Sequence, residues 1–262
     1  MKLSIITATY NSGLTVQDTL ESVMRQTYGD WELIVKDGGS KDNTLSICRE
    51  IADDASGRIK ILSSPDRGIY DAMNQGIEAS TGDIIGILNS DDFYTSNDVL
   101  ETVVRAFEDD PGLDAVYADV HYCKWDDVNS PVRYYSSKVF RPSLMRLGFM
   151  PAHPSFYVRR TVYEKVGPFD TSFKIAADFD MLLRMIYLGG IKTRYIEKDF
   201  VTMSMGGASS SGYQSHKLIN KEHLASLKKN GVKSNLFLLS LRYIYKIYEL
   251  ATSKGRLKQN AH

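Results

Sequence analysis

Four aspartates in the first half of the chain have the chemistry to hold a cation. Asp91 and Asp92 are adjacent after one short apolar run, and Asp37 and Asp66 follow two earlier runs. Each alone also fits a turn or a helix N-cap, where aspartate is common. Together they would concentrate negative charge, which is unfavourable without a cation or a donor-rich ligand. We therefore predict a divalent cation that binds a diphosphate, because Mg²⁺ and Mn²⁺ take one or two carboxylates and complete their coordination with phosphate oxygens and water.

The glycine-rich loops that usually bind phosphate are missing from this sequence. It contains no GxxxxGK[ST] segment, and no GxGxxG follows the first apolar run. These absences argue against a P-loop and against a dinucleotide-binding oxidoreductase. Phosphate recognition is therefore expected to depend on the cation.

The elements that must position these residues are predicted by hydrophobic periodicity. Short apolar runs alternate with helical patterns in the first half, which predicts a sheet of mostly parallel strands. Predicted strands cover 3–8, 31–36, 59–63, 83–89 and 115–121, and helices cover 15–26, 43–53, 70–80 and the segment around 99–107. Ligands of such sheets bind beyond the carboxyl ends of the strands, and all four aspartates follow predicted strands.

The second half of the chain is less regular. Strands are predicted at 131–137 and 155–159, helices at 161–166 and 178–188, a flexible loop at 206–212, and helix from 216 onward. The segment 236–250 is apolar, aromatic and basic. It fits either a helix that lies in a membrane interface or one that packs on the domain or on a second subunit.

Composition narrows the classes of partner and compartment. Lys+Arg and Asp+Glu are 32 each among 262 residues, so no chain-wide basic field favours nucleic acid. Cys48 and Cys123 lie in no CxxC or Cys/His cluster, which predicts reduced thiols. No signal peptide and no apolar run of about 18 residues is present. We expect a cytoplasmic protein, with peripheral contact at the inner face of the plasma membrane as an option for the C-terminal helix.

Five segments, taken in order along the chain, resemble family 2 glycosyltransferases of the A-type fold. They are SIITATYN at 4–11, IVKDGGSKDNT at 34–44, SSPDRGIYDAMNQGI at 63–77, ASTGDIIGILNSDD at 79–92 and AADFDMLLR at 176–184. The third resembles bacterial members that build surface polysaccharides. The resemblance covers about residues 1–210.

The resemblance implies an α/β fold with a mostly parallel, Rossmann-like central sheet, flanking helices and a C-terminal helical extension. It suggests a glycosyltransferase domain at 1–215, divided into a nucleotide-binding half at 1–120 and an acceptor half at 121–215. The helical extension would then occupy 216–262.

The resemblance also implies roles for residues near the first two strand ends. Thr7, Thr9 and Asn11 would contact the nucleoside, with the backbone near Thr9 against a uracil ring. Asp37 would accept a hydrogen bond from the uracil ring nitrogen, a role that suits a fixed carboxylate.

The next two strand ends would hold the diphosphate. By resemblance, Asp66 and Arg67 would line the nucleotide or diphosphate pocket, Asp91 would contact the ribose or sugar, and Asp92 would coordinate Mn²⁺ or Mg²⁺. The sequence departs from the family pattern at Asn89, which stands at the first acidic position of the D-x-D signature.

The candidate catalytic base lies in the last matching segment. Asp178 aligns with the family's catalytic aspartate, which implies an inverting single displacement, although Ala177 replaces an acidic residue common at the preceding position. A helix N-terminus also favours aspartates for purely structural reasons. For Asp180 we favour this structural role at the helix N-terminus, and contact with the acceptor is the alternative. His153 is either structural or in contact with acceptor or sugar.

The predicted activity is transfer of a sugar from a nucleotide sugar, UDP-linked by resemblance, to a saccharide or a lipid-linked saccharide. A sugar-phosphate nucleotidylyltransferase is one alternative, but ATYNSG follows the first predicted strand where that class needs a glycine-rich basic loop. A catalytically inactive nucleotide-sugar-binding protein is the other. The retention of Asp91, Asp92 and Asp178 argues against it.

Overall fold

The computed structural model describes residues 1–124, 127–204 and 212–245. In its first half, strands alternate with helices as the periodicity predicts. Strand β1 is buried along its whole length, which is typical of a central parallel strand covered on both faces. The elements are β1 (Leu3–Thr9), α1 (Val16–Met24), β2 (Trp31–Asp37), α2 (Thr44–Asp54), β3 (Ile59–Ser63), α3 (Ile69–Ala79) and β4 (Ile84–Ile87).

The chain after β4 contains two strands that the sequence patterns did not predict. These are β5, which begins at Asp92, and β9, in which charged residues interrupt the apolar alternation. The elements are β5 (Asp92–Tyr94), α4 (Val99–Asp109), β6 (Ala115–Lys124), β7 (Asp127–Tyr135), β8 (Tyr157–Arg159), α5 (Arg160–Val166), α6 (Ala177–Leu182), β9 (Thr193–Ser204) and α7 (Gly212–Lys229). Helix α6 continues directly into a π-helical turn, Leu183–Leu188.

The described strands form one sheet in the order β3-β2-β1-β4-β8-β6-β9-β5, with β7 paired to β6. Strands β1 to β4 are parallel to one another. Strand β8 is antiparallel to both β4 and β6, and β5 is antiparallel to β9. The carboxyl ends of β1 to β4 therefore share one edge, and the chain direction changes beside β4.

Helices cover both faces of this sheet, because successive side chains of a strand point to opposite sides. In β1, Leu3 and Ile5 belong to the core beneath α1, α2 and α4, whereas Ile6 and Ala8 belong to the core beneath α3, α5 and α6. Cys48 is a buried thiol in the first of these two cores.

The C-terminal part of the described chain is helical at 212–229 and 236–245. In the second of these segments, Leu239 and Arg242 are buried against the domain, whereas Leu236, Phe237 and Ile244 are exposed. None of the helices that the structure describes is long and apolar enough to span a bilayer. The predicted loop at 206–212 lies outside the described residues except for Gly212, and so does the end of the predicted 236–250 helix.

The contact between α3 and β1 yields a stability prediction. A Cβ at Gly76 would lie 2.4 Å from Cγ2 of the buried, branched Ile6. Overpacking of this kind costs roughly 1–3 kcal/mol, against roughly 1 kcal/mol gained by replacing a helical glycine with alanine. We expect Gly76→Ala to lower the free energy of unfolding by up to roughly 2 kcal/mol in urea titrations. Gly29→Ala, where a Cβ meets nothing within 4 Å, is the control; equal midpoints for the two variants would contradict the packing argument.

Candidate active site

A cleft of about 650 Å³ opens at the carboxyl ends of β1 to β4. This is the edge at which open α/β sheets bind their ligands. The cleft receives side chains or backbone from the turns after β1, β2, β3 and β4 and from the first turn of α3. Its lining consists of Ala8, Thr9, Tyr10, Asn11, Ser12, Leu14, Thr15, Gly38, Asp66, Gly68, Ile69, Ala72, Ser90 and Asp91.

The turn after β1 supplies one wall of the cleft. Asn11 has a left-handed backbone (φ 50°), a conformation that asparagine tolerates better than most residues. Its side-chain oxygen accepts a hydrogen bond from Lys41 N at 2.9 Å, which ties this turn to the loop after β2. The Thr9 hydroxyl is buried with no partner among the described residues. Thr7 is completely buried within β1 and does not line the cleft.

Asp37 is buried immediately behind the cleft wall. Its carboxylate accepts hydrogen bonds from the hydroxyls of Ser40 and Ser63 and from the backbone N–H groups of Gly39 and Ser40. Burial alone would raise the pKa of Asp37, but these donors outweigh it and hold the pKa below its ordinary value. Asp37 is therefore ionised at neutral pH, and Gly38 rather than Asp37 reaches the cleft surface.

Asp66 lines the cleft and is partnered by a buried lysine. Nζ of Lys36, a completely buried side chain in β2, lies 3.2 Å from Asp66 and also donates to the carbonyls of Asp37 and Ser64. A Cβ on Gly38 would lie 2.8 Å from Asp66 Oδ2, so glycine keeps this wall open. Arg67 points elsewhere: its exposed side chain pairs with Asp71 at 3.0 Å.

Asp91 and Asp92 differ in access to the cleft. Asp91 is partly exposed and lines the cleft, whereas Asp92 is buried, with only Asn89 Nδ2 near its carboxylate at 3.4 Å. Burial raises the pKa of Asp91, and it raises the pKa of Asp92 well above its usual range, with the negative charge of Asp91 adding to the second effect. No Lys or Arg in the described ranges pairs with either carboxylate. These two aspartates are the part of the edge where negative charge lacks a protein counter-charge.

The side chains at this edge fit a divalent cation held partly by its ligand. In the part of the chain that the structure describes, no three His, Cys, Asp or Glu side chains cluster closely enough to hold a metal alone. Mg²⁺ and Mn²⁺ need only one or two protein carboxylates when phosphate oxygens complete the shell. Asp91 meets that requirement, since it faces the cleft and lacks a partner cation.

Asp178 stands at the start of α6 and is partly exposed. Burial of its surroundings raises the pKa of Asp178 to about 6, although the N–H of Phe179 donates to its Oδ1 at 2.8 Å and opposes the shift. The Tyr70 hydroxyl lies next to this segment and donates to the carbonyl of Ile175. Because Tyr70 is flanked in α3 by the cleft residues Ile69 and Ala72, α3 joins the cleft to Asp178.

His153 and Asp180 do not line the cleft, and each is held by other parts of the fold. Burial lowers the pKa of His153 to about 4, so its imidazole is neutral at physiological pH, and its ring packs edge-on against Phe169. Asp180 is completely buried and accepts hydrogen bonds from Arg184, Ser226 and Asn230. The placement of Asp180 favours the structural alternative over acceptor contact.

Two residues that organise the site were not singled out from the sequence. The sequence does contain a signal for Lys36, because a lysine near the end of an otherwise apolar strand needs buried hydrogen-bond acceptors. Tyr70 had none, since its partner Ile175 is 105 residues away in sequence.

Two solved structures with a similar fold are complexes with sugar nucleotides. S. aureus TarS 1-349 in complex with UDP-GlcNAc matches with a TM-score of 0.66 and 20% identity over 85% of this chain and 66% of that chain. The chain spans only 39% of a longer TarS structure. Mannosyltransferase PcManGT from Pyrobaculum calidifontis, in complex with GDP-Man and Mn²⁺, matches with a TM-score of 0.65 and 20% identity over 99% of this chain and 74% of that chain. The fold is the A-type fold of glycosyltransferases, as predicted.

Sequence comparison identifies the family of glycosyltransferases to which the chain belongs. The Glycosyl transferase family 2 model matches residues 4–167. A PGL/p-HBAD biosynthesis glycosyltransferase of Mycobacterium bovis is 30% identical over 226 residues, which cover 86% of this chain and 83% of that protein. A Mycobacterium tuberculosis protein of the same description matches equally well. The chain therefore belongs to glycosyl transferase family 2, which confirms the resemblance.

The buried Lys36–Asp66 pair yields a prediction at this site. Lys36→Met removes the cation beside Asp66 and takes one hydrogen-bond donor from the carbonyls of Asp37 and Ser64. Breaking a buried pair from one side costs roughly 3–5 kcal/mol, so the urea midpoint should fall markedly. Lys60→Met, on the exposed side of the neighbouring strand, is the matched control and should unfold near the wild-type midpoint. If both variants unfold together, Lys36 does not hold the strand ends as described.

Proposed function

We propose that the protein is a metal-assisted, inverting glycosyltransferase that moves a sugar from a UDP-sugar to an acceptor hydroxyl. In this proposal Thr7, Thr9, Asn11, Asp37, Asp66 and Arg67 belong to the donor half of the site, with Thr7, Asp37 and Arg67 acting from outside the cleft surface. His153 and Asp180 belong to the acceptor half, with Asp180 acting as a support for α6.

One observation carries the proposal. The cleft at the strand ends presents Asp91 with no Lys or Arg paired to it in the described part of the chain, and α3 connects the same cleft to Asp178, a carboxylate whose pKa burial raises. A diphosphate-bound cation would supply the missing positive charge, and Asp178 would serve the acceptor. The nucleotide-sugar complexes of two structural neighbours support a donor of this class.

The chemistry requires one proton acceptor and one leaving group. The acceptor oxygen forms a bond to the anomeric carbon of the donor while the bond from that carbon to the diphosphate oxygen breaks. Asp178 takes the proton of the attacking hydroxyl, and the diphosphate departs from the opposite face, which inverts the anomeric centre. A base with a pKa near 6 suits this role at neutral pH better than an ordinary aspartate, because it is ionised yet more basic.

In this proposal the metal ligand is Asp91 rather than Asp92. The resemblance placed Mn²⁺ or Mg²⁺ on Asp92, but Asp91 is the carboxylate that faces the cleft, and Asp92 lies beneath it. We assign direct coordination to Asp91 and the support of the turn to Asp92, whose backbone carbonyl accepts from the Thr19 hydroxyl at 2.7 Å. When bound, the cation would offset the charge that develops on the departing diphosphate.

The acceptor is proposed to be a saccharide or lipid-linked saccharide in bacterial surface-polysaccharide assembly. The exposed Leu236, Phe237 and Ile244 supply an apolar helix face that suits peripheral contact with a membrane carrying such an acceptor. The relatives described as PGL/p-HBAD biosynthesis glycosyltransferases support a role in glycoconjugate synthesis.

The donor and cation are tested with a panel of nucleotide sugars, by measuring release of nucleoside diphosphate with Mn²⁺, Mg²⁺ or EDTA. We expect release from a UDP-sugar that EDTA abolishes and added Mn²⁺ or Mg²⁺ restores. Asp91→Asn should slow release at least roughly 100-fold, because the cation loses its protein carboxylate. Asp54→Asn, an exposed aspartate on α2, is the control. Pyrophosphate release from UTP and a sugar phosphate would instead identify a nucleotidylyltransferase.

The base is tested by substitution and by pH. Asp178→Asn should lower kcat by roughly 10²–10⁴-fold while UDP still binds in calorimetry, because the amide cannot accept the proton. In the wild type, kcat should rise with pH through about 6 and then level off, since Asp178 must be deprotonated to act. The variant should lack this rise. Transfer that persists at the wild-type rate in Asp178→Asn would remove Asp178 from the mechanism.

A further inference from the structure

Helices α6 and α7 both lie beyond residues 4–167, the segment that matches the family model, and α7 contacts the start of α6 through one face. The contacting residues are Glu222, His223 and Ser226 of α7, at positions i, i+1 and i+4, and Asn230, which directly follows the helix. Residues with this spacing share a side of an α-helix. One face of α7 therefore packs against the part of α6 that carries Asp178.

Glu222 makes the most specific of these contacts. Its buried carboxylate accepts three consecutive backbone hydrogen bonds, from Lys174 N at 3.0 Å, Ile175 N at 2.9 Å and Ala176 N at 3.0 Å. Ala176 is the N-cap residue of α6 and has no side chain that could cap the helix. Glu222, a carboxylate on another helix, thus satisfies the backbone donors of the three residues that lead into α6, the last of which is its N-cap.

The same segment is held from its other side by the donor half of the site. The Tyr70 hydroxyl of α3 donates to the carbonyl of Ile175, whereas Glu222 receives the N–H of the same residue. Two residues further on is Ala177, and Asp178 follows it. The segment 174–176 before α6 is thus held between α3 and α7, and these contacts set where the chain enters the helix.

Contacts further along α7 support the same part of α6. The His223 ring stacks on Phe179 with centroids 3.9 Å apart, and Arg242 donates to His223 Nδ1 at 2.7 Å. Ser226 and Asn230 both donate to Oδ1 of the buried Asp180. The residues before and after Asp178 are therefore fixed by α7, while Asp178 itself keeps a partly exposed carboxylate.

We propose that Glu222 is a positioning residue for the reaction, which holds the segment 174–176 so that Asp178 faces the acceptor hydroxyl. The inference rests on the proposed function, since it assigns Asp178 as the base. A displacement of about 1 Å at a reacting group costs about 100-fold in rate, so a residue that fixes the position of Asp178 affects the rate without touching substrate. Glu222 touches backbone only and neither contacts the cleft nor exchanges the proton.

The test compares Glu222→Gln with Ser226→Ala in the full chain. Glutamine keeps the size of the side chain but turns an amide NH₂ toward backbone donors, so at least one of the three hydrogen bonds is lost. Ser226→Ala removes a buried hydrogen bond to Asp180 from the same helix face without touching 174–176. Both variants weaken the α6–α7 contact, and only one of them releases the segment before Asp178.

We expect the amides of 174–176 to exchange hydrogen roughly tenfold faster or more in Glu222→Gln, and close to the wild-type rate in Ser226→Ala. With the best UDP-sugar, kcat should fall by about 100-fold in Glu222→Gln while KM for the donor stays within about twofold, because the donor half is unchanged. Calorimetric binding of UDP should match the wild type. Glu222→Asp should recover part of kcat.

Two results would overturn the inference. The first is equal exchange at 174–176 in the two variants, and the second is a Glu222→Gln enzyme with the kcat of Ser226→Ala. Absence of transfer by the wild type with every nucleotide sugar would defeat the proposed function instead. Even then, equal exchange at 174–176 would reject the support of this segment by Glu222.

Discussion

The compensation of negative charge at one edge of the sheet is the constraint on which the rest of the site depends. Parallel strands bring their carboxyl ends together, and here β2, β3 and β4 supply four aspartates to the shared edge. The protein stabilises two of these carboxylates itself, with Lys36 beside Asp66 and a ring of hydroxyl and N–H donors around the ionised Asp37. Among the described residues, Asp91 and Asp92 have no cationic partner, and burial raises their pKa values. The charge that the fold leaves unmatched is thus confined to a single turn, which is where a cation would bind.

The reversal of chain direction next to β4 determines which elements form the acceptor side of the proposed site. Strand β8 runs antiparallel to β4, and the chain then returns through α5 to α6. A purely parallel sheet would continue to place strand ends along the same edge. The reversal instead brings a helix start with Asp178 toward α3, where the Tyr70 hydroxyl joins the two halves. The donor and acceptor sides of the proposed reaction are therefore linked through a single helix rather than through a flexible connection.

Sequence patterns predicted β1 to β4 and their helices within a few residues, because apolar runs that are buried on both faces carry a strong local signal. They failed at β9, whose Arg194, Glu197 and Asp199 interrupt the alternation, and at β5, which lasts only three residues and depends on β9 for its pairing. Within the site, residue types and strand ends predicted that Asp66 and Asp91 reach the cleft. They could not tell which of the adjacent Asp91 and Asp92 lines the cleft. Neighbouring residues can point to opposite sides of the backbone, and the three-dimensional path of the turn decides which one faces the cleft.

Burial raises the pKa of the carboxylates at both ends of the site, with a different consequence at each. At Asp178 it raises the pKa to about 6, and this makes the carboxylate a stronger base while leaving it ionised at neutral pH. At Asp91 the same desolvation disfavours the bare charge, and it would strengthen the attraction to a cation that arrives with the donor. A polar, water-filled edge would weaken both effects. The packing of helices over the strand ends, including that of α7 against α6, is therefore part of the proposed chemistry, because it sets the dielectric environment in which both carboxylates would act.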